Sequence, residues 1–243
     1  MRPRLNSFRF LIGTALIVLL IWIAAGSPLY SAFSIVSHPA RFAVLINNDP
    51  SERHRANLDA ALQALQPYHF HSIEVLGKGD SAPALREVQG VLNKIQRESG
   101  ILELLYITGH GSLVFNANRP DGEPNLMLRD RPLTPRELAP GMGTGPCAVY
   151  LDFCYAPAFA REMSKMMTGD FLVLSDKSEA DPTTSCRTVS TNFWALVKEQ
   201  SVRAPLWTAV GSAWKVVMPN GTRIRIGKFS QSDVPDAIVR GGK

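Results

Sequence analysis

Apolar positions along the chain follow two periods in turn. The runs at 41–46 (RFAVLI), 71–76 (HSIEVL), 101–108 (ILELLYIT), 148–153 (AVYLDF) and 171–175 (FLVLS) are short and largely apolar, as suits strands buried on both faces. Between them apolar residues recur at helical spacing. Leu58, Ala61, Leu62 and Leu65 share one face, as do Leu85, Val88, Val91, Leu92 and Ile95, and later Phe159, Met163 and Met166, with a further helix expected at 191–199. TPRE at 134–137 has a capping Thr, Pro at the first helical position and Glu three residues after the cap, which predicts a short helix start. Strands alternating with helices predict an α/β domain whose mostly parallel sheet is covered on both faces. No internal repeat interrupts the pattern.

The chain opens on an apolar segment of another kind. Residues 10–25 (FLIGTALIVLLIWIAA) are sixteen uncharged positions behind Arg2, Arg4 and Arg9, the arrangement with which signal peptides and signal anchors begin. As a helix the run spans about 24 Å against a bilayer core of roughly 30 Å, so an anchor must extend into GSPLYSAF. Ala24, Ala25 and Gly26 instead offer a cleavage site. By the positive-inside rule the arginines stay cytoplasmic and the rest is exported. The expectation is therefore a domain on the periplasmic or extracellular side of the plasma (inner) membrane, or a secreted one if the signal is removed. The organisation predicted is a signal anchor or signal peptide at 1–33, a connector at 34–40, the α/β domain at 41–230 and a tail at 231–243. Three of the five net positive charges sit in the leader, so residues 10–243 carry only +2, which is no nucleic-acid footprint.

Candidate chemistry gathers at two strand ends. The strand at 101–108 stops on Gly109-His110-Gly111, and the strand at 148–153 runs straight into Cys154. In a parallel sheet, reacting groups collect beyond the carboxyl ends of the strands. If these strands are near neighbours, an imidazole and a thiol face one cleft, and together they form a minimal nucleophilic pair. Glycines beside the histidine permit a tight turn and let the Gly111 N–H approach a developing oxyanion.

Several stretches resemble the caspase-like cysteine peptidases, and within them the legumain family. LLYITGHGS and AVYLDFCYA are similar to the His-Gly and Cys blocks of those enzymes, and RHRAN at 53–57 resembles the Arg-His-x-Ala-Asn/Asp segment of legumain and of the glycosylphosphatidylinositol transamidase catalytic subunit. YITGHG resembles the corresponding transamidase segment, and EADPTTSC with TNFW resembles exported bacterial members. The resemblance covers about residues 41–194. It implies a three-layer caspase-like sandwich and a cysteine endopeptidase or transpeptidase acting on a peptide or protein through an acyl-thioester. His110 would be the general base and acid, Cys154 the nucleophile, and Gly111 part of the oxyanion hole. Arg53 and Asp152 would line the substrate pocket, favouring Asn or another small polar residue before the scissile bond. No metal or other cofactor is implied, and the oligomeric state is left open. One departure matters: legumains carry Asn two residues before the Arg-His pair, where this chain has Ser51, so the third catalytic role falls open, with Asn47 or Asn48 as candidate amides. That departure favours the alternative, a membrane-tethered caspase-like binding domain without turnover.

The remaining candidates read as ordinary residues. His54 is expected to pack or cap locally, and His38, His69 and His71 to lie on the surface or in linkers. No zinc-ligand spacing connects His110, Cys147, Cys154 and Cys186. Cys147 precedes Cys154 by seven strand residues, about 23 Å, so it belongs at the opposite sheet edge and is not expected to bridge Cys186.

Overall fold

A computed structural model describes residues 39–116, 119–175, 187–218 and 221–227. The apolar run at 10–25, most of the connector, the tail at 231–243, His38, Cys186 and the EADPTTSC stretch lie outside the described residues. No helix among the described residues is long and apolar enough to cross a membrane.

The domain runs β1 (Arg41–Asn47), α1 (Glu52–Leu65), β2 (Ser72–Leu76), α2 (Leu85–Arg97) and β3 (Ile101–Gly109). An antiparallel excursion follows, β4 (Gly111–Asn116), β5 (Arg119–Met127) and β6 (Pro132–Leu133), and then the short helix α3 (Pro135–Leu138). The chain completes the sheet with β7 (Cys147–Phe153), α4 (Ala156–Ser164), β8 (Phe171–Ser175), α5 (Arg187–Gln200), α6 (Leu206–Val217) and β9 (Arg223–Ile226). The six-stranded sheet has the order β2-β1-β3-β7-β8-β9, parallel throughout except for β9. The predicted parallel sheet is therefore present, and the two strands that carry the candidate pair are direct neighbours.

Period-two alternation deals the strand residues to the two faces. Phe42, Val44 and Ile46 of β1 and Val149, Leu151 and Phe153 of β7 pack with Val88 and Leu92 of α2 and Phe159 and Met163 of α4. Ala43, Leu45, Tyr106, Ala148 and Tyr150 face the other way, onto α1, α5 and α6. The result is three layers. Where β1 and β3 shift register, Glu103 is the extra residue, and Arg41 grips its carboxylate through Nε and an Nη, both at 2.6 Å.

Three parts differ from the sequence expectation. The β4–β6 sheet was not anticipated, because β5 reads RPDGEPNLM, with two prolines and no apolar alternation. Its existence rests on pairing to β4 rather than on its own pattern. By contrast α6 and β9 carry plain signals, Leu206, Ala209, Val210, Ala213 and Trp214 at helical spacing and RIRI in alternation. The helix expected at 191–199 begins earlier, at Arg187.

Trp194 of α5 anchors the second face. It is fully buried, edge-on to Tyr106 at 4.9 Å and to Phe193 at 4.9 Å. Trp194→Ala should cost ~3–5 kcal/mol, since it removes a large buried side chain that the rings around it cannot replace. Urea denaturation should show a lower midpoint at unchanged slope; an unchanged midpoint would mean that α5 contributes little to the core.

Candidate functional site

The last registered pair between β3 and β7 is Gly109 with Phe153, so the next residues, His110 and Cys154, emerge side by side at the carboxyl edge of the sheet. Both glycines of GHG are close-approach positions. Gly109 has φ +136°, and a Cβ there would overlap the side chain of Asn48; a Cβ on Gly111 would overlap the carbonyl of Cys154. Removing those two atoms lets β1 and β7 close on the histidine from either side.

Asn48 uses that approach as a clamp. Its Nδ2 donates to the carbonyls of His110 and Met127, each at 2.6 Å, and its Oδ1 accepts the His110 N–H at 2.6 Å. Two of these bonds fix the histidine backbone before its ring is considered, and the third ties it to the neighbouring β5. Beyond it, Gly111 pairs with Leu126 while Met127 N–H donates to the His110 carbonyl at 3.1 Å. This is the non-hydrogen-bonded type of antiparallel pair, so the Gly111 N–H turns out of the ladder, away from β5.

Cys154 is half-buried and stands in the turn between β7 and α4. Tyr155, which caps α4, adopts a left-handed φ of 62°, a conformation costing a non-glycine residue about 1 kcal/mol or more. The turn reverses the chain within two residues and places the thiol at the helix N-terminus. Cys147, at the far end of the same strand, is wholly buried, and burial pushes its thiol well above the ordinary range.

The imidazole of His110 is the most exposed part of the site, at 68%, and its Nε2 lies 3.0 Å from Asp49 Oδ2. Asp49 lies two residues past the end of β1. Its other oxygen, Oδ1, accepts the Ser51 N–H at 2.9 Å, and its own N–H donates to Asn47 Oδ1 at 3.0 Å. Partial burial raises the carboxyl, but the Ser51 hydrogen bonds and the two histidines outweigh it and hold Asp49 below its ordinary value. The polar partner of the ring is thus a carboxylate at position 49. Neither candidate amide fills that place: Asn47 bonds the Asp49 backbone and Asn48 the His110 backbone.

His54 packs rather than caps, the first of the two expected roles, but it also makes polar contacts: it is buried, with Nδ1 2.7 Å from Thr108 Oγ1 of β3 and Nε2 3.4 Å from Asp49 Oδ2. Desolvation lowers it to about 4, with Arg53 and His110 adding to the shift and Asp49 opposing it. His69 and His71 are exposed, as expected.

Asp152 occupies the next position on the Ala148 and Tyr150 face, fully buried. Its Oδ2 accepts from Ser190 Oγ at 2.7 Å, Tyr106 OH at 3.0 Å, Thr108 Oγ1 at 3.0 Å and Asn57 Nδ2 at 3.1 Å. Among the described residues its Oδ1 has no hydrogen-bond partner. Burial raises the carboxyl, opposed by bonds from Ser190, Tyr106 and Thr108 and by the charge of half-buried Arg53. All five sequence candidates, Arg53, His110, Gly111, Asp152 and Cys154, belong to this end of the sheet. Sequence reasoning missed Asp49, Thr108 and Ser190; it named Asn48 as a candidate amide for the ring rather than for the His110 backbone, and read His54 as an ordinary packing or capping residue. The available signal was position: Asn47, Asn48 and Asp49 run off the end of β1, the strand beside the one that carries His110.

Compared with known protein families and with curated proteins, the chain matches none.

The buried histidine makes a pH prediction. Between about pH 6.5 and pH 4 the unfolded chain binds a proton at His54 that the native state refuses, so stability rises with pH across that window and is lost on acidification. A lowering from 6.5 to about 4 corresponds to about 3 kcal/mol. Denaturation at pH 7.5 and 4.5 should show a smaller loss for His54→Gln than for the parent. Equal losses would mean that His54 is protonated in the native state.

Proposed function

We propose that this chain is a caspase-like cysteine peptidase of the legumain type, or a transpeptidase of the same chemistry, with Cys154, His110 and Asp49 as its catalytic group. The observation that carries the proposal is the meeting of three strand ends. Cys154 follows β7, His110 follows the adjacent β3, and Asp49 follows β1 on the other side, with its carboxylate on the ring at 3.0 Å. The GHG and DFC blocks and RHRAN supply the family resemblance, and the six-stranded α/β sandwich is compatible with it.

The geometry suits the chemistry step by step. With Nε2 engaged by Asp49, Nδ1 of His110 is the nitrogen left to take the Cys154 proton. The thiolate sulfur bonds to the peptide carbonyl carbon, and the oxygen takes the negative charge, where the outward-turned Gly111 N–H can donate to it. Collapse breaks the C–N bond, and the amine leaves with the proton that His110 holds. Water, or a second amine in transpeptidation, then attacks the thioester, gives His110 its proton and releases the thiol. Asp49 keeps its charge throughout and stabilises the imidazolium formed in each half-reaction.

Arg53 and Asp152 are the proposed specificity pair. Asp152 Oδ1 is an acceptor left over at the end of a crowded polar cluster, and Arg53 contributes a donor group close enough to influence that carboxyl. An acceptor and a donor together fit the two ends of an asparagine amide. Asp49 in the third role weakens the alternative of a silent binding domain, whose support was Ser51.

On a peptide library the full chain should cut after Asn or another small polar residue. Cys154→Ala should abolish cleavage, and Asp49→Ala should lower kcat by about a hundredfold or more with KM little changed. Cleavage by Cys154→Ala at the parent rate would remove the mechanism, and a folded parent with no cleavage but saturable peptide binding would establish the silent domain.

From the arginine leader and the apolar run at 10–25 alone, we place the domain outside the cytoplasm, at the membrane or secreted. A reporter active only after export, fused behind Lys243, should be active; a silent reporter on a stable fusion would overturn this.

A further inference from the structure

A continuous polar chain leads from the site into the core. His110 Nε2 meets Asp49 Oδ2 at 3.0 Å, Asp49 Oδ2 lies 3.4 Å from His54 Nε2, His54 Nδ1 meets Thr108 Oγ1 at 2.7 Å, and Thr108 Oγ1 meets Asp152 Oδ2 at 3.0 Å. Counting protons fixes its direction. With Asp152 as the carboxylate that these groups surround, the one hydroxyl proton of Thr108 is directed to its Oδ2, the same oxygen that gathers the donors of Ser190, Tyr106 and Asn57. The short contact to His54 must then use the Thr108 lone pair, so His54 Nδ1 carries the hydrogen. A neutral imidazole has one ring proton, which leaves its Nε2 bare.

That bare nitrogen points at Asp49, acceptor against acceptor. The two distances around Asp49 Oδ2 agree with this assignment. At 3.0 Å, His110 lies within the usual hydrogen-bond range of about 2.7–3.2 Å, and His54 at 3.4 Å lies beyond it. The groups facing His54 are Asp49 beyond β1, Arg53 on its own helix, His110 and Thr108 at the end of β3, and Asp152 of β7 behind Thr108. Arg53 and His110 both disfavour a second proton on the ring, as does burial.

We propose that His54 is a positioning residue: Thr108 and Asp152 lock it in the Nδ1–H tautomer, so it offers Asp49 no competing donor and reserves that carboxylate for His110. The consequence for catalysis is orientational. Asp49 can bind only the Nε2–H of His110, which sets the tautomer whose Nδ1 accepts the Cys154 proton. The buried acid thereby acts on the general base through Thr108 and His54 without touching it. The catalytic part of the proposal rests on the peptidase reading, whereas the tautomer lock does not.

Long-range proton–nitrogen correlation spectra of the full chain, labelled with 15N-histidine and assigned through His54→Gln, read the tautomer directly. His54 should show the Nδ1–H pattern, unchanged from about pH 5.5 to 8. Thr108→Val keeps the shape of the side chain but removes the hydroxyl, and should release His54 to the Nε2–H form. Peptide cleavage by that variant should fall about tenfold in kcat with KM within about twofold, and Thr108→Ser should restore both tautomer and rate. An Nε2–H His54 in the parent, or no tautomer change in Thr108→Val, overturns the lock. A released tautomer with full kcat overturns the positioning role. If the parent cleaves nothing, the peptidase reading fails by itself and the spectra still decide the lock.

Discussion

A carboxyl group buried at the end of β7 governs how the layers of this domain meet. Asp152 has no exposure, and a polar group taken out of water must recover its hydrogen bonds from protein. The four donors on its Oδ2 come from three sequence-distant elements: Asn57 of α1, Tyr106 and Thr108 of β3, and Ser190 of α5. Tyr150 joins through Ser190 at 2.9 Å. An apolar core tolerates a small sliding of a helix across a sheet, but these bonds do not, because each lost donor leaves a buried acceptor short at about 1–3 kcal/mol. The placement of α1, and with it His54 and Arg53, follows from satisfying one acid.

The reactive edge follows from a second constraint, the closeness of three backbones. Parallel strands lie about 4.8 Å apart, so side chains leaving neighbouring strand ends meet only if nothing intervenes. Gly109 and Gly111 remove the obstructing atoms on either side of His110, Asn48 fills one gap with three hydrogen bonds, and the Cys154 carbonyl closes on the other. The rigid part of the histidine is therefore its backbone. Its ring stays exposed and is restrained at one nitrogen by Asp49.

The sheet was legible in the sequence because its strands are buried on both faces and read as apolar runs, and the helices between them repeat at their own period. The β4–β6 sheet was not legible, since β5 carries Pro120 and Pro124 and owes its extended form to its neighbours. In the site, His110 and Cys154 could be found because each ends an apolar run abruptly. Asp49 could not be found in that way: it sits in NNDP, a stretch that reads as an ordinary turn, and its role depends on β1 lying next to β3, a fact of topology rather than of pattern. His54 was hidden differently. It falls within a helix whose spacing explains it as packing, and only the arrival of Thr108 from another element gives its ring a polar partner.

Exposure falls steadily along the polar chain, from 68% at the His110 side chain through 13% at Asp49 and 4% at His54 to nothing at Asp152. A group that passes protons to substrate and water has to reach both, and reach comes with rotational freedom. The group that orients it needs the opposite environment, because a carboxylate screened from water directs a hydrogen bond more strongly than an exposed one. Burial also keeps a second histidine from acquiring charge near the site, where a cation would draw Asp49 away from His110. Under the proposed peptidase reading, the ordering from exposed to buried would assign proton movement to the outer end and geometry to the inner end, and the two glycines at the strand end let both belong to one residue, His110, exposed at its ring and fixed at its backbone.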